Sequence, residues 1–341
     1  MRIHFLALTL CGLATNPVAS LQAQVKWMNV DAAYAPLPKG FRVFKALDSL
    51  DSKPFIAYYA IADLKAKKFK FATDTSEGRR LTPANFFIKS GQPLLVVNTT
   101  FFSFASNKNL NLVISAGKIL SYNTHTIPLR GKDTLRYKHP FSSAIGISKK
   151  RKADIAWTYT DSTAMHAFAV QNVLMPLMDS TASFSFDAAR SYTSVNDKAG
   201  MVGIKKYKPL LQKWKMHTAV GGGPVLVQDG KIEISNNEEM KFAGNAIYDK
   251  HPRTLMGYTA DHKLIVMVIE GRNPGKAEGA TLTQAAQLMK DLGCIEALNL
   301  DGGGSSCMLI NGKETILPSD KGLQRAIPAV FIIKQQRRKP Y

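Results

Sequence analysis

Three segments share one form, and that form limits the fold more than any other feature of the chain. Residues 112–119, 225–232 and 307–314 each run as a strand, a two-residue turn ending in glycine, and a lysine that opens the return strand. Such turns need positive φ at both positions and join neighbouring antiparallel strands. Asp229-Gly230 and Asn311-Gly312 are the stronger turn signals, Ala116-Gly117 the weaker. A fourth hairpin pairs residues 255–259 with 263–270 across Ala260, Asp261 and His262. Residues 55–62, 93–98, 142–148 and 155–160 are short, apolar or alternating, and rich in β-branched and aromatic side chains, so they also read as strands.

One helix is well specified. Thr281 and Gln284 have capping-box spacing, and Leu282, Ala285, Ala286, Met289 and Leu292 share one face before Gly293 stops the helix. The expected fold class is therefore α+β: mixed, mainly antiparallel sheets with hairpins and a few packed helices, in a single domain. Within it, residues 51–335 form the body, 24–50 an N-terminal arm and 336–341 a basic tail. Residues 161–213, which lack strand rhythm, read as an insertion or lid.

The first 23 residues differ from the rest. Arg2 precedes an apolar run over 3–14, and Leu21-Gln22-Ala23 resembles a signal-peptidase site. A run of about a dozen apolar residues falls short of the ~20 that span a bilayer. The expectation is export, to the periplasm or the outside, with no transmembrane segment in the mature chain. Cys294 and Cys307 remain after cleavage and are expected to be free buried thiols.

The 341-residue chain carries a formal charge of +20, and loss of Arg2 leaves +19. Lysines cluster at 65–70, 149–152 and 205–208, and a further basic run spans 337–339. Such a field attracts polyanions, and outside the cytoplasm it points to phosphate-bearing glycans or membrane surfaces more readily than nucleic acid. No aromatic-studded basic motif of a nucleic-acid binder is present.

The candidate chemistry lies at strand ends. Residues 295–300 read as a buried strand running into Asp301, Gly302, Gly303, Gly304, Ser305 and Ser306. A turn alone needs fewer glycines, and a strand-end acid before glycines suits a ligand loop. Gly221, Gly222 and Gly223 before Pro224 form a second such loop, expected to offer backbone N–H groups to a phosphate. His251-Pro252-Arg253-Thr254 aims an arginine from a strand edge, and a guanidinium binds phosphate oxygens in a fork. Glu270 ends a very apolar strand before Gly271 and Arg272, and with Asp301 makes a carboxylate pair of the kind glycoside hydrolysis uses. Asn98, Phe101 and Phe102 after another strand suit either core packing or a sugar platform.

Taken in order, Asn-x-x-Phe-Phe, Gly-Gly-Gly-Pro-x-Leu, His-Pro-Arg-Thr, acid-Gly-Arg, the capping-box helix, Asn-Leu-Asp-Gly-Gly-Gly-Ser-Ser and a late Arg325 resemble the phosphodiester glycosidase family. The resemblance covers roughly 55–160 and 215–333 and implies a secreted hydrolase that removes a sugar from a sugar-phosphodiester. It places catalysis on Asp301, Glu270 and Arg253. Asn98, Phe101, Phe102, Gly221, Gly222, Gly223, Arg272, Gly302, Gly303, Gly304, Ser305 and Arg325 then bind substrate. The family commonly has two glycines where Thr99 and Thr100 stand here, a change expected to narrow the backbone approach near Asn98. It more often has aspartate at Glu270. Two other readings stand beside this one: a non-catalytic binder of anionic cell-envelope glycans, and a metal-dependent phosphodiesterase. No cofactor is expected, a divalent cation stays open, and so does the oligomeric state.

Overall fold

In the computed structural model, residues 25–131, 134–198 and 211–336 are described. The leader at 1–23, the lysines at 205–208 and residues 337–341 of the basic tail lie outside them. Strand pairing is antiparallel throughout the four sheets.

An eight-stranded sheet has the order Trp27–Asn29, Phe41–Ala46, Ala57–Asp63, Lys263–Ile269, Arg253–Thr259, Cys294–Asn299, Val225–Gln228 and Lys231–Ile232. The segment expected to be an N-terminal arm thus supplies the first two strands of this sheet. A seven-stranded sheet includes Ser142–Ile147 between Ala153–Asp161 and Thr218–Gly221. A five-stranded sheet centres on Leu95–Asn98 and Ala329–Gln335, and a small sheet joins Leu177–Asp179, Tyr137–His139 and Ile127–Pro128. Within the expected insertion, His166–Val170 and Gln212–Lys213 are strands of the seven-stranded sheet.

The three larger sheets enclose a shared core. Val43, Leu95, Phe331, Ile145, Trp157, Val266 and Leu298 meet there. Alternation along Lys263–Ile269 explains why that strand is apolar at every position after its opening lysine. Leu264, Val266 and Val268 face the shared core, while Ile265, Met267 and Ile269 face the helix Leu282–Asp291. That helix begins with the expected capping box: Gln284 N–H donates to Thr281 Oγ1 (3.1 Å), and Thr281 N–H to Gln284 Oε1 (2.9 Å). The three glycine hairpins have positive φ at both turn residues, Ala116-Gly117, Asp229-Gly230 and Asn311-Gly312. Cys294 and Cys307 are buried free thiols, and burial pushes Cys294 up to about 12. Among the described residues, no helix is long and apolar enough to cross a membrane.

Candidate active site

Five strand ends converge on one rim. The Cys294–Asn299 strand delivers Asp301, whose N–H donates to Thr99 O (2.7 Å) beyond the end of Leu95–Asn98. Gly303 N–H donates to Pro252 O (2.9 Å), which sets the Asp301 loop against the start of Arg253–Thr259. Ile269 pairs with Arg253, so Glu270 emerges next to it. Gly223 N–H donates to Asn299 O (2.7 Å), completing the set.

Asn98 is the joint of this assembly. Its side chain is 1% exposed; Nδ2 donates to Asp301 O (2.6 Å), and Oδ1 accepts from Thr254 Oγ1 (2.8 Å) and Cys307 N–H (3.1 Å). With these partners Asn98 positions Asp301 from below instead of facing a ligand. Asn98→Ala would leave the Asp301 carbonyl and the Cys307 N–H unpaired, while the Thr254 hydroxyl keeps Ser306 Oγ at 3.3 Å. A loss of about 3 kcal/mol in urea unfolding is expected, since each orphaned buried group costs roughly 1–3 kcal/mol.

Burial raises the Asp301 carboxyl to about 7, against the opposing pull of the Ser305 hydroxyl, the Arg325 guanidinium and the Gly302 N–H. The approach of Ser305 Oγ falls outside strict hydrogen-bond geometry, so it acts here as a nearby dipole. A carboxyl poised near neutrality is what acid–base or nucleophilic chemistry at neutral pH requires.

The glycines after Asp301 make room for arginines. A Cβ on Gly303 would lie 3.1 Å from Arg272 Nη2, and one on Gly304 would lie 2.2 Å from Arg325 Nη2. Arg272 is exposed and Arg325 partly so, its Nε held by Asp320 Oδ2 at 2.9 Å. The Arg325 guanidinium also lies 5.4 Å from the centre of the Phe104 ring, which is 60% exposed.

Two anion-binding expectations are corrected by the geometry. The N–H groups of Gly221, Gly222 and Gly223 donate to Leu112 O, Ser143 O and Asn299 O, so this loop offers no backbone donor to a phosphate. Its third glycine instead admits Glu239 and Lys241, whose Oε2 and Cε lie 2.3 and 2.5 Å from where a Cβ would stand. Arg253 is 2% exposed, with Nε donating to Ala280 O (2.9 Å) and Nη2 to Asp249 O (3.1 Å). Its Nε and Nη2 are thus engaged by the backbone, and burial with Arg272 nearby lowers its pKa to about 10.

Glu270 is held by Leu317 N–H (2.9 Å) and Asn273 Nδ2 (3.4 Å), which ties its strand to the segment leading to Arg325. Phe102 packs in the core outside the five-stranded sheet, whereas Phe101 lines a cavity. Thr99 and Thr100 turn inward, bonded to Ala329 O and Asn109 Oδ1, and so leave the approach to Asp301 unnarrowed.

That cavity, about 270 Å³, holds the residues that sequence reasoning missed. Asn111, Thr124, Ile127, Glu239 and Lys241 line it with Phe101. Lys241 Nζ stands 5.7 Å from the Phe101 ring centre, and burial lowers its pKa while Glu239 opposes the shift. Phe242 bridges to the arginine side, its ring 6.1 Å from Phe101 and 5.5 Å from the Arg253 guanidinium carbon. The space is monosaccharide-sized, just below the ~300–1,000 Å³ of drug-sized sites. Among the described residues, no three His, Cys, Asp or Glu side chains come together as cation ligands.

The sequence profile of the phosphodiester glycosidase family matches residues 91–334. The chain belongs to the phosphodiester glycosidase family. Within this family setting, it is 26% identical over 102 residues to mouse N-acetylglucosamine-1-phosphodiester alpha-N-acetylglucosaminidase, covering 30% of this chain and 19% of that protein. It is 38% identical over 78 residues to the SPbeta prophage-derived uncharacterized protein YomE of Bacillus subtilis, covering 23% and 12%. Both matches span less than a fifth of the curated relatives' own length. The catalytic domain of the zebrafish N-acetylglucosamine-1-phosphodiester alpha-N-acetylglucosaminidase, auto-inhibited by its pro-peptide, shares the fold at a TM-score of 0.56 and 17% identity, covering 92% of this chain and 89% of that one.

Proposed function

We propose that this phosphodiester glycosidase family member hydrolyses the bond between a sugar and a phosphodiester, after export from the cytoplasm. The observation that carries the reading is the Asp301 carboxyl, raised to about 7, flanked by Arg325, with Arg272 over the same glycine loop. Arg272 and Arg325 hold the phosphate. The sugar occupies the Phe101–Lys241 cavity, and Asp301 stabilises or attacks the anomeric carbon between them. Cleavage of the C–O bond releases a phosphate monoester, already a good leaving group, and water supplies the hydroxyl that completes the free sugar. Electrostatic stabilisation is then the chief demand on the protein.

Two measurements test this. Turnover of sugar-phosphodiesters in water enriched in heavy oxygen should place the label in the sugar; label in phosphate, with loss of activity on chelation, would mean metal-assisted P–O cleavage instead. The rate should also follow ionised Asp301. Burial favours its protonated form up to about 7, so kcat/KM is expected to rise through that pH and level off above it. A profile flat from pH 5 to 9 would remove Asp301 from the reacting centre.

A further inference from the structure

The strands that carry the candidate site also carry a second feature at their other ends. Ser143 and Gly221 stand at the site end of the seven-stranded sheet, whereas Ile147 pairs with Thr218 at the far end. Five residues of strand separate Ser143 from Ser148, or roughly 17 Å at ~3.3 Å per residue. There a groove of about 600 Å³ opens between the turn at 148–152, the start of His166–Val170 and residues 213–216.

Its floor is apolar, built from Ile114, Ile119, Trp214 and Met216. Gly146 makes that floor possible, because a Cβ there would lie 2.4 Å from Met216 and 2.7 Å from Trp214. Its walls are basic. Lys149, Lys150, Lys152, Lys213 and Lys215 all line it and are all exposed. None of the five takes part in an ion pair among the described residues, and no carboxylate lines the groove. The neighbouring Asp154 is engaged by Trp214 Nε1 and Gln171 Nε2. An adjoining cleft shares Ser148 and Lys149 and extends the basic band to Lys70.

We infer that this groove is an exosite for a phosphodiester-linked polysaccharide, engaging repeat units beyond those at Asp301, roughly 17 Å along the sheet from its Ser143 end. Five unpaired ammonium groups around an apolar floor suit a chain that alternates anions with sugar faces. Lysine accepts phosphates as point charges without fixing their orientation, so the groove grips a flexible polymer without selecting one linkage. A monomeric substrate reaches one end of the sheet only, and a polymer reaches both.

The inference extends the proposed activity, yet binding alone tests it. Fluorescence polarisation would compare the full chain with the triple variant Lys149→Gln, Lys152→Gln, Lys213→Gln. The probes are a soluble polysaccharide of phosphodiester-linked hexoses, polyglutamate of matched charge and oligothymidylate. The polysaccharide should bind more tightly than either other polymer, weaken as salt rises, and lose about tenfold or more in affinity in the variant. Unchanged affinity in the variant, or equal affinity for polyglutamate or oligothymidylate, overturns the exosite. A matched thermal midpoint establishes that the variant is folded. Turnover of a small sugar-phosphodiester should be equal in the two proteins. Absence of turnover in both would sink the proposed reaction while leaving the binding result to judge the groove.

Discussion

Asp301→Asn is expected to lower kcat/KM by at least about a thousandfold, near 4 kcal/mol of transition-state stabilisation at ~1.4 kcal/mol per decade. It should also make the protein more stable. Burial raises this carboxyl from 3.8 to about 7, so the folded state holds a proton that the unfolded chain releases. Stability contributed by the protonated form is complete below about pH 4 and is lost as pH climbs towards 7. Asparagine keeps the shape and never ionises. Its advantage should therefore be larger at pH 8 than at pH 5, by roughly 2–3 kcal/mol, because each pKa unit is worth ~1.4 kcal/mol. Urea unfolding at both pH values, alongside turnover, separates the outcomes. Near-normal turnover would make Asp301 a turn residue, and a pH-independent gain would mean that it is not desolvated as the fold places it.

The hairpins and the capped helix were legible because their chemistry is local. A two-residue turn with positive φ at both positions demands Asn-Gly, Asp-Gly or their kin, and a Thr-x-x-Gln box acts over four residues. The glycine loops were legible as motifs, but their physical purpose was not. Sequence suggested exposed backbone for an anion; in the fold Gly223 admits Glu239 and Lys241, while Gly303 and Gly304 admit Arg272 and Arg325. Close approach was the right inference, and the approaching group is a side chain of the same protein. The 233–250 segment gave no signal, since it holds only short helical turns, Asn236–Glu239 and Gly244–Ile247, whose positions are set by distant strands. In sequence Arg253 reads as a free fork, because nothing local announces that the Asp249 and Ala280 carbonyls will engage its Nη2 and Nε.

Glu239→Gln should produce a large loss of stability. The carboxylate is 1% exposed and accepts five hydrogen bonds. Ser235 Oγ (2.6 Å), Val225 N–H (3.0 Å) and Trp157 Nε1 (3.1 Å) donate to Oε1, and Ser143 gives its N–H (3.0 Å) and hydroxyl (2.7 Å) to Oε2. Trp157 and Ser143 belong to the seven-stranded sheet, Val225 to the eight-stranded one, so this single side chain ties the two together beside the site. An amide cannot accept at both ends. Turned either way, its NH₂ meets at least one N–H that has no other role, and only a serine hydroxyl can rotate to receive it. Breaking a buried charged network in this manner costs about 3–5 kcal/mol, a large part of the ~5–15 kcal/mol that holds a domain folded. Lys241 would lose its counter-charge at the same time, so sugar affinity should fall in whatever fraction stays folded. A urea midpoint that moves by less than the equivalent of about 1 kcal/mol would show the sheets to be held by packing alone. Glu239 would then be a group kept for the cavity, as the partner of Lys241, and not for the fold.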